Sequence, residues 1–482
     1  MNVSADSLKD GTLYRLGLLS DVEVHQAAEL IETVAASNIE TIRVLFADQH
    51  GVLRGKTIVA AAFASLVQSG LNVPNTLLLK DTSHRTVFPV WTEEAAGLPS
   101  GAGDMMLVPD STTFRPLPWS ETSAWIFCTP VSLDGAPLPY AARSVLKQAI
   151  DLLAFTGRTL NVGLEVEFHV FELTDTAMDH GAATMPGAPV STRNITQGYH
   201  FLTEQLYDRV EPLMDKLRRN AQMLGLPVRS MEIEMGPSQF EFVFDPADPM
   251  RHADNMMMFR AMVKEVCARD GLHATFMCKP NLPNAAASGW HLHQSLCDTS
   301  GANLMMAKPN GSISPDASGW IAGLLENAEA SCLITTPTVN GYKRYQPHQL
   351  APDRILWGRD NRGAMIRGLM SANDTASRIE NRVAEPMANP YYVFASQILS
   401  GLDGLERGLS APEPIENPYL SDARRLPESL LSAIEHFQCS RLYRTALGDE
   451  FVDYLVRIKH AEWHRYHQTV SDWEQAEYFN LY

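Results

Sequence analysis

The stretch GLEVEFHV, residues 163–170, constrains the fold of this chain more than any other feature. Apolar residues alternate there with Glu165, Glu167 and His169, which is the two-residue period of a β-strand with one apolar and one ionisable face. Three later stretches, SQFEFVF, WHLHQSL and SRIENRV, show the same alternation. Four such strands predict a sheet that packs one face on a core and curves its other face around a charged interior.

The polar faces of these strands predict a metal site. The candidate ligands on these faces are Glu165, Glu167, Glu241, Glu380, His291 and His293, and Glu234 precedes the second strand across a turn-like segment. Carboxylates held together away from bulk water cost several kcal/mol each unless a cation compensates them. Because glutamates with histidines and no thiolates suit hard or borderline divalent ions, we expect Mg²⁺ or Mn²⁺ and not a structural zinc.

A group of arginines follows the acidic strands and predicts anion binding. Its seven members are Arg344, Arg354, Arg359, Arg362, Arg367, Arg378 and Arg382. The guanidinium group is a planar fork that matches phosphate and carboxylate oxygens. Together with divalent metals, these arginines indicate phosphoryl transfer from a nucleotide, with a second substrate that carries a carboxylate.

The composition excludes several other classes of function. The chain has 482 residues and a net charge of −17, which disfavours nucleic acid and anionic membrane surfaces as partners. It shows neither a leader-like start nor an apolar stretch of membrane-spanning length, so we expect a soluble, cytoplasmic protein. Its six cysteines lack the CxxC spacing of a zinc or disulfide framework and are predicted to be reduced core thiols.

The pattern of helical, strand and turn signals divides the chain into three parts. These are an N-terminal helical segment, 1–38, a small β-rich domain, 39–132, and a large domain, 133–482. Two strands joined by a turn at 49–51 open the small domain. In the large domain, a loop at 174–198 is long enough to indicate function or disorder. Near the C-terminus, Ser471–Glu474 fits a capping box that starts a helix.

Ten motifs in order give the chain a family resemblance. They are FADQHGVLRGK, GDMMLVPD, GLEVEFHVF, EMGPSQFEF, FMCKP, SGWHLH, NGYKRYQP, GRDNRGAMIR, SRIENR and ANPY. Their types and order resemble glutamine synthetases and related ligases over most of the chain. The resemblance implies an α+β fold with a β-grasp-like N-terminal domain and a catalytic domain whose curved antiparallel sheet is flanked by helices. It also implies a homododecamer of two hexameric rings, with active sites formed between neighbouring subunits.

The resemblance further implies a chemistry and a set of residue roles. ATP activates the γ-carboxylate of L-glutamate as an acyl phosphate, which an amine then attacks. The implied ligands are Glu167, Glu234 and Glu241 for one metal ion and Glu165, His291 and Glu380 for the other. The implied glutamate contacts are Arg344, Arg382 and Ala287, and the implied ATP contacts are His293, Ser295, Arg367 and Arg378. Arg362 would face the transferred phosphate, and Asp48 would act as a base in a neighbour's site.

One stretch departs from ammonia ligation. In YQPHQLAP, Leu350 occupies the position where glutamine synthetases carry a flap glutamate that attracts ammonium and helps to deprotonate it. The family's NGSG appears here as AASG, with Ala286 and Ala287, and Trp290 follows it. These substitutions are either neutral changes in a loop or the lining of an apolar amine pocket formed by Leu350, Trp290 and Ala286. We favour the pocket.

The amine is the open part of this prediction. An arylamine such as aniline is uncharged at neutral pH and needs no flap glutamate before it attacks, so an aromatic or apolar amine is favoured over ammonia. A ligase for an alkylamine or polyamine, or a glutamine synthetase proper, are the alternatives. A non-catalytic assembly is disfavoured, because it would have no need to keep so many acids in one costly cluster.

Overall fold

The computed structural model describes residues 5–90 and 102–482, so residues 1–4 and 91–101 of the two predicted N-terminal parts lie outside the described residues. The described chain forms two β-sheets, each packed against helices. The smaller sheet lies in the N-terminal part and the larger sheet lies in the C-terminal part. The α+β class that the family resemblance implies is confirmed.

The N-terminal part surrounds a sheet of short strands. Its helices are α1 (Ala5–Lys9), α2 (Thr12–Arg15), α3 (Asp21–Ala36) and α4 (Phe63–Ser69). Its strands are β1 (Thr41–Ala47), β2 (Leu53–Val59), β3 (Leu71–Pro74), β4 (Asp104–Pro109), β5 (Arg115–Leu117) and β6 (Ser120–Val131). Single 3₁₀ turns lie at Ala60–Ala62, Asn75–Leu79 and Ser111–Thr113. Within the described residues the strand order is β2-β1-β6-β4-β3, with β5 paired to β6.

The first hairpin has the predicted turn. β1 and β2 pair antiparallel, and Ala47 lies opposite Leu53 at the closed end. Gly51 has a φ of +69°, which a glycine adopts without steric cost, so the glycine of the turn is required there. β1 buries Ile42, Val44 and Phe46 on one face, as its two-residue alternation predicts.

The C-terminal part is built on a larger sheet. Its strands are β7 (Arg158–Leu173), β8 (Thr192–Asn194), β9 (Val228–Ile233), β10 (Gln239–Phe244), β11 (Leu272–Thr275), β12 (Trp290–Asp298), β13 (Trp357–Arg359), β14 (Ile366–Leu369) and β15 (Arg378–Asn381). Across the described chain their order is β13-β14-β15-β12-β7-β10-β9, and β8 and β11 pair with the end of β7. The predicted long loop therefore contains β8 and a 3₁₀ turn at His180–Ala182.

The described C-terminal part contains ten helices, several of which cover the apolar face of this sheet. They are α5 (Ala142–Phe155), α6 (Glu204–Met223), α7 (Pro249–Arg269), α8 (Pro315–Glu326), α9 (Ala328–Thr335), α10 (Pro390–Glu406), α11 (Leu430–Gln438), α12 (Arg441–Leu447), α13 (Asp449–His467) and α14 (Asp472–Tyr478). Further 3₁₀ turns lie at Gly341–Arg344 and Pro418–Leu420. Phe168 of β7 packs against four phenylalanines, including Phe242 of β10 and Phe259 of α7, so the aromatic residues of the alternating strands form the core between sheet and helices.

Five of the six cysteines are buried and unpaired, as predicted, whereas Cys439 is exposed because it ends α11 at the surface. Among the residues with described positions, no helix is both long and apolar enough to cross a bilayer.

Candidate active site

The register of the larger sheet places the ionisable residues of neighbouring strands side by side. Glu167 of β7 lies opposite Glu241 of β10. On the other edge of β7, Glu165 lies opposite His291 of β12. Side chains that face each other across an antiparallel pair have Cβ atoms about 4.5–5.5 Å apart, so the two-residue alternation of each strand is enough to bring these four groups together.

The next strand pair extends the cluster. His293 of β12 lies opposite Glu380 of β15, and Arg367 of β14 lies opposite the same glutamate. His293 Nε2 is 2.7 Å from Glu165 Oε2, and Arg367 Nη1 donates to Glu380 Oε2 at 3.0 Å. The four strands singled out by sequence therefore do share one charged face.

His291 lies at the centre of this face. Its Nδ1 is 3.6 Å from Glu165 Oε2, 3.9 Å from Glu241 Oε1 and 3.8 Å from Glu380 Oε1. Its Nε2 is 3.7 Å from Glu167 Oε1. Within the described chain, His291 Nδ1 and Glu241 Oε1 are buried without a hydrogen-bond partner. Because buried polar atoms are rarely left unpaired, these atoms mark a place suited to an additional cation.

Three overlapping sets of side chains can hold a divalent ion. In each set the ligand atoms lie within 4.8 Å of one another, and the sets are Glu167, Glu234 and Glu241; Glu165, Glu241 and His291; and Glu165, His293 and Glu380. The first is the set that the family resemblance implies for one metal. In the second set Glu165 lies with His291, and in the third it lies with His293. His293, for which the resemblance implies an ATP contact, is therefore also placed as a possible metal ligand. Carboxylates and imidazoles without thiolates fit Mg²⁺ or Mn²⁺.

The carboxylates of the cluster differ in how easily they ionise. Burial raises the pKa of Glu241 well above the usual range of a glutamate, and the charge of Glu167 raises it further. The same two causes raise the pKa of Glu234 to about 8. Burial also acts to raise the pKa of Glu165, but hydrogen bonds from the two histidines of β12 hold it below its ordinary value. The cluster thus retains protons at neutral pH that a divalent cation would displace.

Residues that sequence reasoning did not select hold Glu167 in place. Its Oε2 accepts hydrogen bonds from the Gly289 amide at 2.9 Å and from Gln239 Nε2 at 3.1 Å. The Gln239 side chain also reaches Ser288 Oγ at 3.0 Å. Gln239 lies on the polar face of its strand, so the alternation contained a signal for it. His169 lies behind this group, 3.3 Å from Ser288 Oγ, where burial lowers its pKa to about 4 and keeps the imidazole neutral.

The predicted glutamate contacts lie beside the acids. Arg344 is buried, donates to the Arg382 carbonyl at 2.9 Å and approaches His291 Nε2 at 3.5 Å. Arg382 is buried as well and forms an ion pair with Glu380. The Ala287 carbonyl accepts from the Gln239 side chain at 3.2 Å. Arg344 and Arg382 therefore contact residues of the acidic cluster directly, and Ala287 is linked to it through Gln239.

Arg362 differs from these arginines because it is exposed. No ion pair or side-chain hydrogen bond involves it among the residues the structure describes, so its guanidinium group is free to meet an anion. It lies in the turn between β13 and β14, three residues after Arg359. This placement is compatible with the predicted contact to a transferred phosphate.

The predicted nucleotide contacts follow the outer end of the same face. Arg378 Nε donates to His293 Nδ1 at 3.1 Å, so the imidazole bridges Arg378 and Glu165. Arg367 pairs with Asp360 at 2.6 Å in addition to Glu380. Ser295 Oγ donates to the Ser377 carbonyl at 3.0 Å. These groups are brought together, with partners that an incoming phosphate would partly replace.

The amine pocket predicted from sequence is corrected at one residue. Trp290 is fully buried, and its ring packs edge-on against Phe394 of α10 with centroids 5.7 Å apart. It immediately precedes His291 in β12, so its side chain lies on the opposite face of the sheet, in the core. Trp290 therefore cannot stack with a substrate. Ala286 lies in the loop before β12 and faces Gly236, at the Glu234 end of the cluster.

Leu350 contacts Arg382 through its backbone. Its side chain is 55% exposed, and its carbonyl accepts from Arg382 Nη2 at 3.3 Å. The backbone contact fixes the residue next to a predicted glutamate contact, while the apolar side chain stays free of the core. At the position that the resemblance matches to the flap glutamate, the side chain is therefore aliphatic and uncharged.

Asp48 has a different environment from that expected of a free base. In this single chain its side chain is buried, and it accepts from the amides of His50 and Val52 at 2.9 Å and from Arg54 Nε at 2.8 Å. Asn389 Nδ2 donates to the Asp48 carbonyl at 3.0 Å. Because its oxygens already accept these hydrogen bonds, the carboxylate stabilises the β1–β2 turn. The partners of the carboxylate are sequence neighbours in this hairpin, and only the Asn389 contact comes from a distant segment.

Comparisons with known proteins agree with this geometry. Residues 139–478 match the family described as "Glutamine synthetase, catalytic domain". The chain belongs to the glutamine synthetase family. It is accordingly an ATP-dependent ligase that forms amide bonds, as the arrangement of acids and arginines indicates.

Relatives of this glutamine synthetase-family chain include several amide ligases. It is 36% identical to a gamma-glutamylanilide synthase of Acinetobacter sp. over 493 residues, covering 96% of this chain and 97% of the relative. It is 33% identical to a gamma-glutamylethanolamide synthetase of Streptomyces coelicolor, covering 94% and 95%. It is 30% identical to a glutamate–isopropylamine ligase of Pseudomonas sp., covering 96% and 100%.

A solved structure titled "Apo GmaS without ligand" resembles the fold. It matches with a TM-score of 0.79 and 27% sequence identity, over 94% of this chain and 99% of that chain. Together with the family match, this similarity confirms both the family and the fold class that the ordered motifs predicted.

Proposed function

We propose that this ligase joins an apolar amine, with an arylamine such as aniline favoured over ammonia, to the γ-carboxylate of L-glutamate through γ-glutamyl phosphate. The observation that carries the proposal is Leu350, an exposed aliphatic side chain held by its backbone to Arg382 at the flap position. A leucine neither attracts an ammonium ion nor accepts a proton. The site therefore suits an amine that arrives uncharged and brings apolar surface.

The electrostatics of the flap support a neutral acceptor. Arg382 donates to the Leu350 carbonyl and Arg344 donates to the Arg382 carbonyl, whereas Asp353, three residues after Leu350, is buried with its Oδ2 3.5 Å from Arg354 Nε. A protonated amine beside Leu350 would lie close to the Arg382 guanidinium group. Since aniline-type amines are uncharged at neutral pH, they avoid this repulsion and also need no base before attack.

The residues of the cluster have clear tasks in this reaction. Divalent ions, when bound, would neutralise charge on the nucleotide phosphates. Glu165, Glu167, Glu234, Glu241, His291 and Glu380 would hold those ions, and His293, Ser295, Arg367 and Arg378 would orient ATP. Arg344, Arg382 and Ala287 would hold glutamate so that its γ-carboxylate oxygen meets the γ-phosphorus. Arg362 would stabilise the transferred phosphoryl group.

The second half of the reaction is an acyl transfer. The amine nitrogen attacks the γ-carbonyl carbon, the carbon–oxygen bond to phosphate breaks, and the attacking nitrogen loses one proton to give a γ-glutamyl amide and phosphate. Exclusion of water keeps the acyl phosphate from being hydrolysed. The turn that carries Asp48 would complete the site from a neighbouring subunit of a ring assembly, so its buried carboxylate would shape the site.

An alkylamine acceptor is the second candidate, because one relative of the chain is named for an ethanolamide product and another for an isopropylamine substrate. The test is phosphate release by purified full-length protein with L-glutamate, ATP, Mg²⁺ and a panel of aniline, isopropylamine, ethanolamine, a polyamine and ammonia. We expect aniline to give the highest kcat/KM. Greatest stimulation by ammonia would refute the proposal, and stimulation by alkylamines or polyamines alone would support the second candidate.

Leu350→Glu tests the residue that carries the proposal. A carboxylate at the flap would attract ammonium and take its proton, while it would cost a neutral arylamine its apolar contact, worth about 0.8 kcal/mol for each buried methylene. We expect the ratio of kcat/KM for ammonia to that for aniline to rise by about tenfold or more. Leu350→Met, which stays apolar, is the matched control. An unchanged ratio in the glutamate variant would mean that this position does not select the acceptor.

A further inference from the structure

The flap carries backbone strain that no sequence pattern explains. His348 has a φ of +64° and Leu350 a φ of +53°, so two residues with Cβ atoms adopt the left-handed region within three positions. Such conformations are unfavourable for residues other than glycine and persist only where surrounding contacts enforce them, commonly at functional sites. The contacts of His348 and Leu350 therefore indicate which parts of the site hold the flap in this conformation.

His348 is held by an aromatic contact. Its ring lies 4.9 Å from the ring of Tyr419, centroid to centroid, with a tilt of 48°. Tyr419 belongs to the 3₁₀ turn Pro418–Leu420, about seventy residues further along the chain. Leu350 is held in turn by the hydrogen bond from Arg382 to its carbonyl. The strained segment is thus attached both to a predicted glutamate contact and to an aromatic side chain.

Tyr419 connects the flap to the phosphate side of the site. A Cβ built on Gly363, the neighbour of Arg362, would lie only 3.1 Å from the Tyr419 ring, so the ring packs directly on that turn. The Tyr419 hydroxyl is buried, and the group beside it is the backbone of Leu350. Since the hydroxyl is enclosed while the residue as a whole is only partly buried, the ring is the part of Tyr419 that a ligand can contact.

We propose that the rings of His348 and Tyr419 form, with Leu350, the wall of the acceptor site, and that this aromatic wall selects a flat, uncharged arylamine. This inference rests on the proposed function and gives the acceptor site the aromatic surface that Trp290 cannot supply. Two rings and an aliphatic side chain offer stacking and dispersion contacts but no negative charge. The charged side chains around Tyr419 are Arg344, Arg382 and Asp353, of which two are cationic.

Variants of the two rings test the wall. His348→Asn keeps a residue that tolerates a positive φ but removes the ring, and Tyr419→Leu removes the other ring. Each is expected to lower kcat/KM for aniline by about 3- to 10-fold, the range of one aromatic contact, with little change for isopropylamine. Tyr419→Phe, which keeps the ring, should retain the preference for aniline over isopropylamine, and Tyr478→Leu, at an exposed tyrosine of α14, is the control that should keep both values.

An experiment on the wild-type protein makes the test independent of folding in the variants. Phenol should inhibit the aniline reaction competitively, whereas cyclohexanol, which has a similar size but no flat ring, should inhibit at least about threefold more weakly. An unchanged ratio of aniline to isopropylamine use in both variants, or equal inhibition by the two alcohols, would overturn the aromatic wall. Failure of the proposed function would look different, because wild-type phosphate release would then respond best to ammonia.

Discussion

At the scale of single residues, Glu241 shows how the site depends on a cation. Its carboxyl is buried, one of its oxygens has no partner in the described chain, and its pKa is raised by burial and by neighbouring acids. The same position belongs to two of the three sets of possible metal ligands. Replacing its carboxyl group by an amide should therefore leave the metal-free protein at least as stable and lower its affinity for a metal ion.

Glu241→Gln separates these two effects. Without added metal, we expect the melting temperature to stay equal or rise, because one buried ionisable group is removed. With Mg²⁺ or Mn²⁺, calorimetry should show affinity reduced by about 100-fold or more, since loss of a ligand exceeds the 10- to 100-fold typical of outer contacts. Glu172→Gln, near the end of the neighbouring strand β7, where the carboxylate pairs with Arg193 away from the cluster, is the control. A metal-dependent rise in melting temperature equal to that of wild type would contradict the assignment.

Residue identity alone predicted the acids better than it predicted the pocket. The two-residue period of β7, β10, β12 and β15 was sufficient to bring the acids and histidines together, because directly opposed positions in a sheet are fixed by register. The same two-residue period places the Trp290 side chain on the core face of the sheet, away from His291. The period alone therefore argues against Trp290 as part of the amine pocket. Tyr419 had no local signal, since its contact with His348 joins segments far apart in sequence.

At the scale of elements, regular patterns were also the most predictable. The capping box at Ser471 is formed as expected: its hydroxyl accepts from the Glu474 amide, and the Glu474 carboxylate accepts from the Ser471 amide at 2.7 Å. The turn at 49–51 closes β1 and β2. What the sequence did not indicate is how irregular segments are fixed, because their partners are tertiary. Glu385, between β15 and α10, is such a case.

Glu385 ties two irregular segments together as a neutral acid. Its carboxyl oxygens accept from the Thr338 amide and hydroxyl, each at 3.0 Å, in the segment after α9. Burial raises its pKa from 4.5 to about 8. The folded protein therefore keeps a proton that the unfolded chain releases above its ordinary pKa. The stability that depends on this proton is present at low pH and is lost as the pH rises toward 8.

Glu385→Gln should remove this pH dependence, because an amide matches the neutral carboxyl in shape and can pair with both Thr338 groups. Between pH 5.5 and 7.5 we expect the free energy of unfolding of the variant to gain on that of wild type by up to about 1.4 kcal/mol per pH unit. Chemical denaturation at several pH values measures the difference. Glu406→Gln, on the exposed end of α10, is the control. Parallel pH profiles for wild type and Glu385→Gln would contradict the prediction.

At the scale of the whole molecule, the small sheet is locked onto the catalytic part by its first hairpin. Arg43 of β1 forms an ion pair with Glu265 of α7 at 2.7 Å. Arg260 of the same helix donates to the Gly51 carbonyl at 3.0 Å, and Asn389 donates to the Asp48 carbonyl. The β1–β2 turn is thus held in a fixed position relative to its own catalytic domain. A turn held in this way is suited to complete a site on an adjoining copy.

Co-assembly of two inactive variants tests whether sites are shared between subunits. Asp48→Ala disrupts the turn, and Glu241→Gln disrupts the metal ligands, so each homogeneous assembly should be inactive. If the turn of one subunit completes the site of its neighbour, random co-assembly leaves about one quarter of the sites with both parts intact. Co-expression with two different tags and purification on both should then recover about that fraction of wild-type phosphate release. Each site in a co-purified assembly would instead stay inactive if both parts came from one chain, because every chain carries one of the two lesions.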